Sequence, residues 1–574
     1  MDPANSTVID STDSFTRTAG KQLISMALLA IGGLILLMFL LGWASNLSRG
    51  SGETLNAVDP ATGTITLVMA QEPPQLNSTL STDQVSGQIL GHVMEGLLRY
   101  DAHNELAPGV AERWEIRPDG ATFWLRPDAR WSDGEPVTAD DFVFAWQVAL
   151  DPANASEYAF ILYPLKNGEA INNGELPREA LGVTAPEPQR LEIQFERPIA
   201  YFDKLVAFST YGPIRREFYN QHKGRYGADA DDMLYNGPFA ITRWVHGAHL
   251  RMEKNPYYWD KQRIRLNVID IPYITSDTTA TLNLFKDGKI VIAGLDAETL
   301  ENALEQRWQI NRFIDGSIFF LEFNHRPGRM TRNHNLRKAL QLVSDPAELV
   351  YKVIKLPGNM PGVSLFPVWL KGVHGLFRQE YPPPELHIDF DEAKRYLELA
   401  KQDLGVDEIP PLVMLIGDSP TSKKQAEYFQ SLYKRALGLD IKIDAQIFKQ
   451  RLAKMTSGEF DLVAAGWGPD YDDPLTFGDL FSSWNKNNRG MYANPELDKW
   501  VRVAQSSLDK KTRMDAFGEI QQILFDDAVI ILNYERGTVY VKDPRVGGVV
   551  RRAVGADPDF TNAYIKSDSE VAVK

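Results

Sequence analysis

An α/β fold is predicted for this 574-residue chain from three observations. In the C-terminal half, residues 412–416 (LVMLI) and 439–447 read as strands, and residues 420–437 between them read as a helix. Further upstream, residues 111–147 (AERWEIRPDGATFWLRPDARWSDGEPVTADDFVFAWQ) read as strand, turn and helix. At the N-terminus, residues 22–44 (QLISMALLAIGGLILLMFLLGWA) carry no charge and are apolar on every face, which predicts a single transmembrane helix ahead of the folded region.

That apolar run exceeds the about 20 residues a span needs and the about 7–15 of a cleavable signal core. Small residues Gly42 and Ala44 near its end would suit signal peptidase, but the length favours an uncleaved anchor. Arg17 and Lys21 precede the span and Arg49 follows it, which places leader 1–21 in the cytoplasm and the rest outside. Residues 45–58 (SNLSRGSGETLNAV) read as a flexible linker.

Apolar content of 44% and charged content of 24% are those of a globular protein with a large core. Net charge is -15 without long acidic runs, which argues against nucleic acid and anionic lipid surfaces as partners. There is no cysteine, so disulfides, thiolate nucleophiles and Cys-ligated metals are excluded.

Along the outer region, residues 64–70 (TITLVMA) are strand-like. Val85, Ile89, Val93 and Leu97 have helical spacing over residues 85–98. Residues 191–195 (LEIQF) alternate like a strand, and residues 235–259 read as strand, turn, strand, turn. A helix begins at Asn335, Pro382-Pro383-Pro384 marks a surface loop, and Gly438 is placed to end the helix over residues 420–437.

Within residues 111–147, four tryptophans (Trp114, Trp124, Trp131, Trp146) stand among the turns Pro118-Asp119-Gly120 and Ser132-Asp133-Gly134. Thr138 caps a helix from Ala139, with Asp140 and Asp141 in the first turn, where acids favour the helix dipole. For folding this is a piece of core. As a signature it closely resembles the family 5 extracytoplasmic solute-binding proteins, the peptide-binding receptors of ABC importers. Tyr235-Asn236-Gly237-Pro238-Phe239 and Asn255-Pro256-Tyr257-Tyr258-Trp259 match the same family.

The resemblance runs from Asp59 to the C-terminus and implies a two-lobed periplasmic-binding-protein fold with an extra third domain. It implies residues 59–94, 219–311 and 537–574 for lobe one, 95–218 for the extra domain and 312–536 for lobe two. A monomer that contacts a permease is the implied assembly.

Residues 460–474 (FDLVAAGWGPDYDDP) hold the candidate site. Residues 462–465 read as a buried strand running into Gly466-Trp467-Gly468, whose glycines leave the backbone open to close approach. Trp467-Gly468-Pro469-Asp470-Tyr471 matches a W-x-x-D-Y motif, and the resemblance implies that Asp470 pairs with a peptide's ammonium while the strand offers its backbone. Asp472 and Asp473 are expected to be solvated. Tyr158 matches a cleft tyrosine and Phe448 an aromatic pocket wall; a packed core role fits each equally well. Ala464, Ser422 and Thr456 depart from relatives that carry basic residues or histidines there, and Lys355 lies near another basic position. The departures leave room for a ligand with an amine but no conventional carboxylate terminus.

Catalytic motifs are absent: there is no H-E-x-x-H, G-x-S-x-G or G-x-x-x-x-G-K-[ST]. His246 and His249 would face opposite sides of a strand, and Asp472-Asp473-Pro474 lacks the glycine of a calcium loop. No cofactor or metal is expected. The expected function is capture of peptides or peptide-like amines outside the cytoplasmic membrane, with delivery to a permease and no chemistry. The alternatives are a sensory binding protein of the same fold and, against the missing motifs, a hydrolase.

Overall fold

A computed structural model describes residues 56–567 and 570. The apolar run 22–44 lies outside the described residues. Among the described residues, no helix is long and apolar enough to cross a membrane.

Three sheets organise the chain. A five-stranded sheet takes Val58–Asp59, Thr64–Met69, Val268–Ile274, His249–Lys254 and Phe239–Val245, with Val268–Ile274 parallel to Thr64–Met69. A four-stranded antiparallel sheet takes Ala111–Arg117, Gly120–Leu125, Arg190–Gln194 and Val183–Glu187. The third sheet is the largest. Its two longest strands, Ile310–Phe323 and Ile530–Lys542, pair antiparallel, and Leu462–Trp467, Leu412–Gly417 and Ile441–Gln446 follow on one side.

The long pair changes register between Ile314 and Ile318. There Gly316 sits at φ +74, and a Cβ on it would come within 2.1 Å of the Trp369 indole nitrogen, so only glycine fits. Asp315 accepts from the Arg536 guanidinium at 2.7 Å and from the Ser317 N–H at 2.8 Å, which pins the interruption. One end of the pair packs with Ile292–Gly294 over a small core of Leu282, Ile290 and Val539; the other packs over Leu336, Leu412 and Leu462. Together these sheets form the two-lobed α/β fold.

Local chemistry explains the best-defined elements. Helix Pro420–Leu437 starts where Ser419 Oγ accepts the Ser422 N–H, and ends where Gly438 turns left-handed at φ +72. Helix Ala139–Leu150 opens with the Thr138 N–H donating to the Asp141 carboxylate at 2.9 Å. The same carboxylate accepts the Trp131 indole N–H at 3.2 Å, and burial pushes it up to about 6. Trp131 and Trp146 are fully buried, whereas Arg113 covers the half-buried Trp124 ring at 3.5 Å.

Two expectations are corrected. The helix predicted over residues 85–98 is Gln84–Val93 and stops at Met94, because Leu98–Tyr100 pairs with Leu106–Pro108 instead. His246 lies in the turn between Phe239–Val245 and His249–Lys254; it contacts Glu72, while His249 contacts Asp270.

Candidate functional site

Strand Leu462–Trp467 builds the site. Along one edge all of it pairs with Ile318–Phe323. Along the other, only Leu462 and Val463 pair, with Met414 and Leu415. From Ala464 to Trp467 that edge has no strand partner among the described residues; the Ala464 carbonyl accepts from Arg451 Nη1 at 3.0 Å, and the stretch beyond it is open to an added strand. Pro469 cannot continue the ladder, and the chain turns there into Asp470.

The turn is held from beneath by buried Thr476, whose Oγ1 accepts the Asp470 N–H at 3.0 Å and the Trp467 indole N–H at 3.4 Å. Asp470 Oδ2 accepts the Tyr158 hydroxyl at 2.8 Å. Tyr158 is 2% exposed, edge-on to Phe208 at 5.2 Å and tilted against Trp467 at 6.4 Å. Burial pushes the Tyr158 phenol well up, so it donates. Burial also pushes the Asp470 carboxyl up to about 7, although the Tyr158 hydrogen bond pulls the other way. Among the described residues no cation pairs with Asp470, so a bound cation would relieve the cost of ionising it.

The structure therefore brings Asp470, Trp467 and Tyr158 together, with Gly466 and Gly468 on the same strand and turn. Gly466 is exposed, and a Cβ there would meet Phe319 at 2.8 Å. At Gly468 the close neighbour is the protein's own Gln84, whose amide nitrogen lies 2.0 Å from where a Cβ would be. Phe448 stands apart at the start of helix Phe448–Ser457, half-buried, with the Arg451 guanidinium 5.5 Å over its ring. Of the departing positions, Ser422 caps its helix with Ser419, and Lys355 is exposed at the end of Leu349–Ile354. Thr456 Oγ1 contacts Glu157 at 3.2 Å and Arg489 at 3.0 Å.

Asp473 is a correction. It is not solvated but 5% exposed, and it accepts two hydrogen bonds from the buried Arg513 guanidinium, at 2.6 and 2.9 Å. Asp472 is exposed as expected, with Lys204 donating to its carbonyl at 2.5 Å.

Sequence reasoning missed the residues that tie distant parts of the chain together here. Glu157 takes a two-pronged ion pair from Arg489, with Nη2–Oε2 at 2.6 Å. Gln84 reaches Ser317 and Arg536, and Tyr201 stacks on Tyr471 at 5.8 Å. Glu157 adjoins Tyr158 in the chain, which is the one signal that could have found it; nothing near Arg489 marks it. A separate cavity of about 400 Å³ lined by Pro384, Leu386, Leu524 and Ile531 shares no residue with this group.

A strand edge without a strand partner, ending in a carboxylate with no cation beside it among the described residues, within a two-lobed α/β fold, is the arrangement of a ligand-binding protein. The family described as bacterial extracellular solute-binding proteins, family 5 (middle region), matches residues 105–489, and the chain belongs to it. The oligopeptide-binding protein OppA of Bacillus subtilis (strain 168) is 31% identical over 517 residues, covering 88% of this chain and 93% of that protein. Among solved structures, the substrate-binding domain of an oligopeptide ABC transporter from Bacillus anthracis str. Ames superposes with a TM-score of 0.84 at 33% identity, covering 88% of this chain and 99% of that one. Listeria monocytogenes OppA bound to peptide gives 0.82 at 29% identity, with coverage of 88% and 99%.

Proposed function

We propose that this protein is an extracytoplasmic receptor that captures peptides or peptide-like amines between its lobes and delivers them to an ABC permease, without catalysing a reaction. The observation that carries the reading is the partnerless edge from Ala464 to Trp467 ending at Asp470. An extended peptide laid on that edge satisfies main-chain groups that every peptide has, and its ammonium meets the Asp470 carboxylate. Tyr158 orients that carboxylate, and Trp467 and Phe448 offer apolar walls. Such a site binds peptides with little side-chain selectivity. Membership of the family and the peptide receptors named above support it.

The domain boundaries read from the sequence are part of the proposal. The breaks at 311/312 and 536/537 fall beside the register change at Ile314–Ile318 and its partner Arg536, where a hinge between lobes would act. Small-angle scattering and thermal unfolding with and without a mixture of free-amine peptides test the function. The lobes are expected to stay compact only with ligand, and stability to rise by about 2.7 kcal/mol at a ligand concentration of about 100 times Kd. No change with any peptide would sink the reading.

We also propose that residues 22–44 anchor the receptor in the cytoplasmic membrane, on the strength of their length and lack of charge. Carbonate washing of membranes is expected to leave the protein bound. Release into the soluble fraction with an N-terminus at Ser45 would overturn the anchor.

A further inference from the structure

The cavity of about 400 Å³ that stands apart from Asp470 lies along strand Ile530–Lys542, with Ile530 and Leu532 in its wall. Strand Ile310–Phe323 separates that strand from Leu462–Trp467. Two strand spacings, about 10 Å, therefore divide the cavity from the candidate site. Helix Lys510–Asp526 contributes Leu524 and Phe525, and the segment 361–365 contributes Val363 and Leu365.

The volume falls in the range of about 300–1,000 Å³ found for small-molecule sites, and the walls are mostly apolar. Four prolines, Pro346, Pro361, Pro383 and Pro384, line it. Their fixed φ angles hold the walls in place beforehand, so little ordering is left for a ligand to induce. Val363 and Ile388 also line the cavity, and both are large apolar side chains that the fold leaves exposed. A ligand seated here covers them, which favours binding.

The polar groups decide what kind of ligand fits. Ser364 donates to Gln521, and Gln341 is taken up by Lys338 at 2.7 Å and by the Phe525 carbonyl at 3.3 Å. That leaves two carboxylates, Asp345 and Glu385, while no Lys, Arg or His lines the cavity among the described residues. Glu385 lies 3.7 Å from His387. Asp345 is half-buried and caps the short helix Pro346–Glu348, its Oδ1 accepting the Ala347 N–H at 2.8 Å. It forms no ion pair among the described residues. An apolar chamber with an unpaired carboxylate in its wall complements an apolar body that carries a cation.

We propose that this cavity is a second ligand site, which takes a small apolar ammonium, an aryl- or alkylamine, with its charge at Asp345 and its body against Val363, Leu386, Leu524 and Leu532. The proposal is independent of the peptide reading, because neither Asp470 nor the open strand edge takes part in it.

Titration calorimetry on the full-length protein tests it with three probes of one skeleton: tryptamine, tryptophol and indole-3-propionate. They end in an ammonium, a hydroxyl and a carboxylate. Tryptamine is expected to bind at least about tenfold more tightly than the other two. Asp345→Asn keeps a helix cap and should remove that preference. Val363→Trp, at an exposed position, should fill the mouth and block all three probes. The ammonium of tryptamine also suits Asp470, so each titration is repeated in Asp470→Asn protein, where the preference should persist. Equal affinity for the three probes, no binding of tryptamine, a preference that survives Asp345→Asn, or one that vanishes in Asp470→Asn overturns the site. Failure of every free-amine peptide to bind, with tryptamine still preferred, would sink the peptide reading and leave this site standing. The comparison of probes on the wild type and on Asp470→Asn decides the matter even where an Asp345 or Val363 variant does not fold.

Discussion

Asp470→Asn is expected to weaken binding of free-amine peptides by at least about tenfold, while N-acetylated peptides, already weak, change little. The substitution keeps the shape and the Tyr158 hydrogen bond but removes the charge that meets the ammonium. Losing one partner of a buried pair costs about 2–5 kcal/mol, much of it from leaving the other charge unpaired. The pH dependence follows from the same group. Its carboxyl is pushed up to about 7 from an ordinary 3.8, yet it must be ionised to hold an ammonium. Affinity should therefore fall as pH drops below about 7, by up to about tenfold per unit, with a proton released on binding. Above about 8 the ligand's own amine loses its charge.

Stability of the ligand-free protein has the opposite sign. A raised carboxyl contributes fully below 3.8, where both folded and unfolded forms are protonated, and its contribution is lost as pH rises through about 7. Asp470→Asn should flatten both profiles. Titration calorimetry across pH 5.5 to 8.5 with free and acetylated peptides reads all of this. Equal losses for both peptide types would remove Asp470 from the site.

The largest stability effect is expected at Arg513. Arg513→Met strands the buried Asp473 carboxylate, and breaking a buried pair from one side costs about 3–5 kcal/mol. Asp473 also accepts the Leu475 N–H at 3.0 Å, and Arg513 lies 5.0 Å over the Tyr201 ring, so the damage reaches the turn below Asp470 and the stack of Tyr201 on Tyr471. Asp473→Asn with Arg513→Met should recover part of the loss, because the two changes share one interaction. Asp472→Asn, at an exposed carboxylate, should stay within about 0.5 kcal/mol of wild type. Urea unfolding of the four proteins measures this. Arg513→Met as stable as Asp472→Asn would show that the pair contributes nothing.

Much of the fold was legible because its signals are local. Ser419, Pro420 and Gly438 mark both ends of one helix within a few residues, and Thr138 with Asp141 marks the start of another. The turn Pro118-Asp119-Gly120 fell between two paired strands for the same reason. Leu97 misled because its spacing continues a helical stripe, while the chain around it is spent on backbone packing. Gly96 has the Val206 carbonyl 2.8 Å from where a Cβ would be, and Gly109 has the Gly96 carbonyl at 2.7 Å.

In the site, the sequence determined which residues stand on one strand and turn. Gly466, Trp467, Gly468 and Asp470 are neighbours in the chain, and a motif records neighbours. Tertiary structure decided everything that depends on distant partners. Two adjacent acids, Asp472 and Asp473, look alike in the sequence; one is exposed, and the other is buried because Arg513 arrives from 40 residues away. Tyr158 becomes both a core ring and the donor to Asp470 across 312 residues. Charge and hydrogen-bonding capacity are written in each residue, but their cost or use depends on burial and on what faces them, and only the folded chain supplies those.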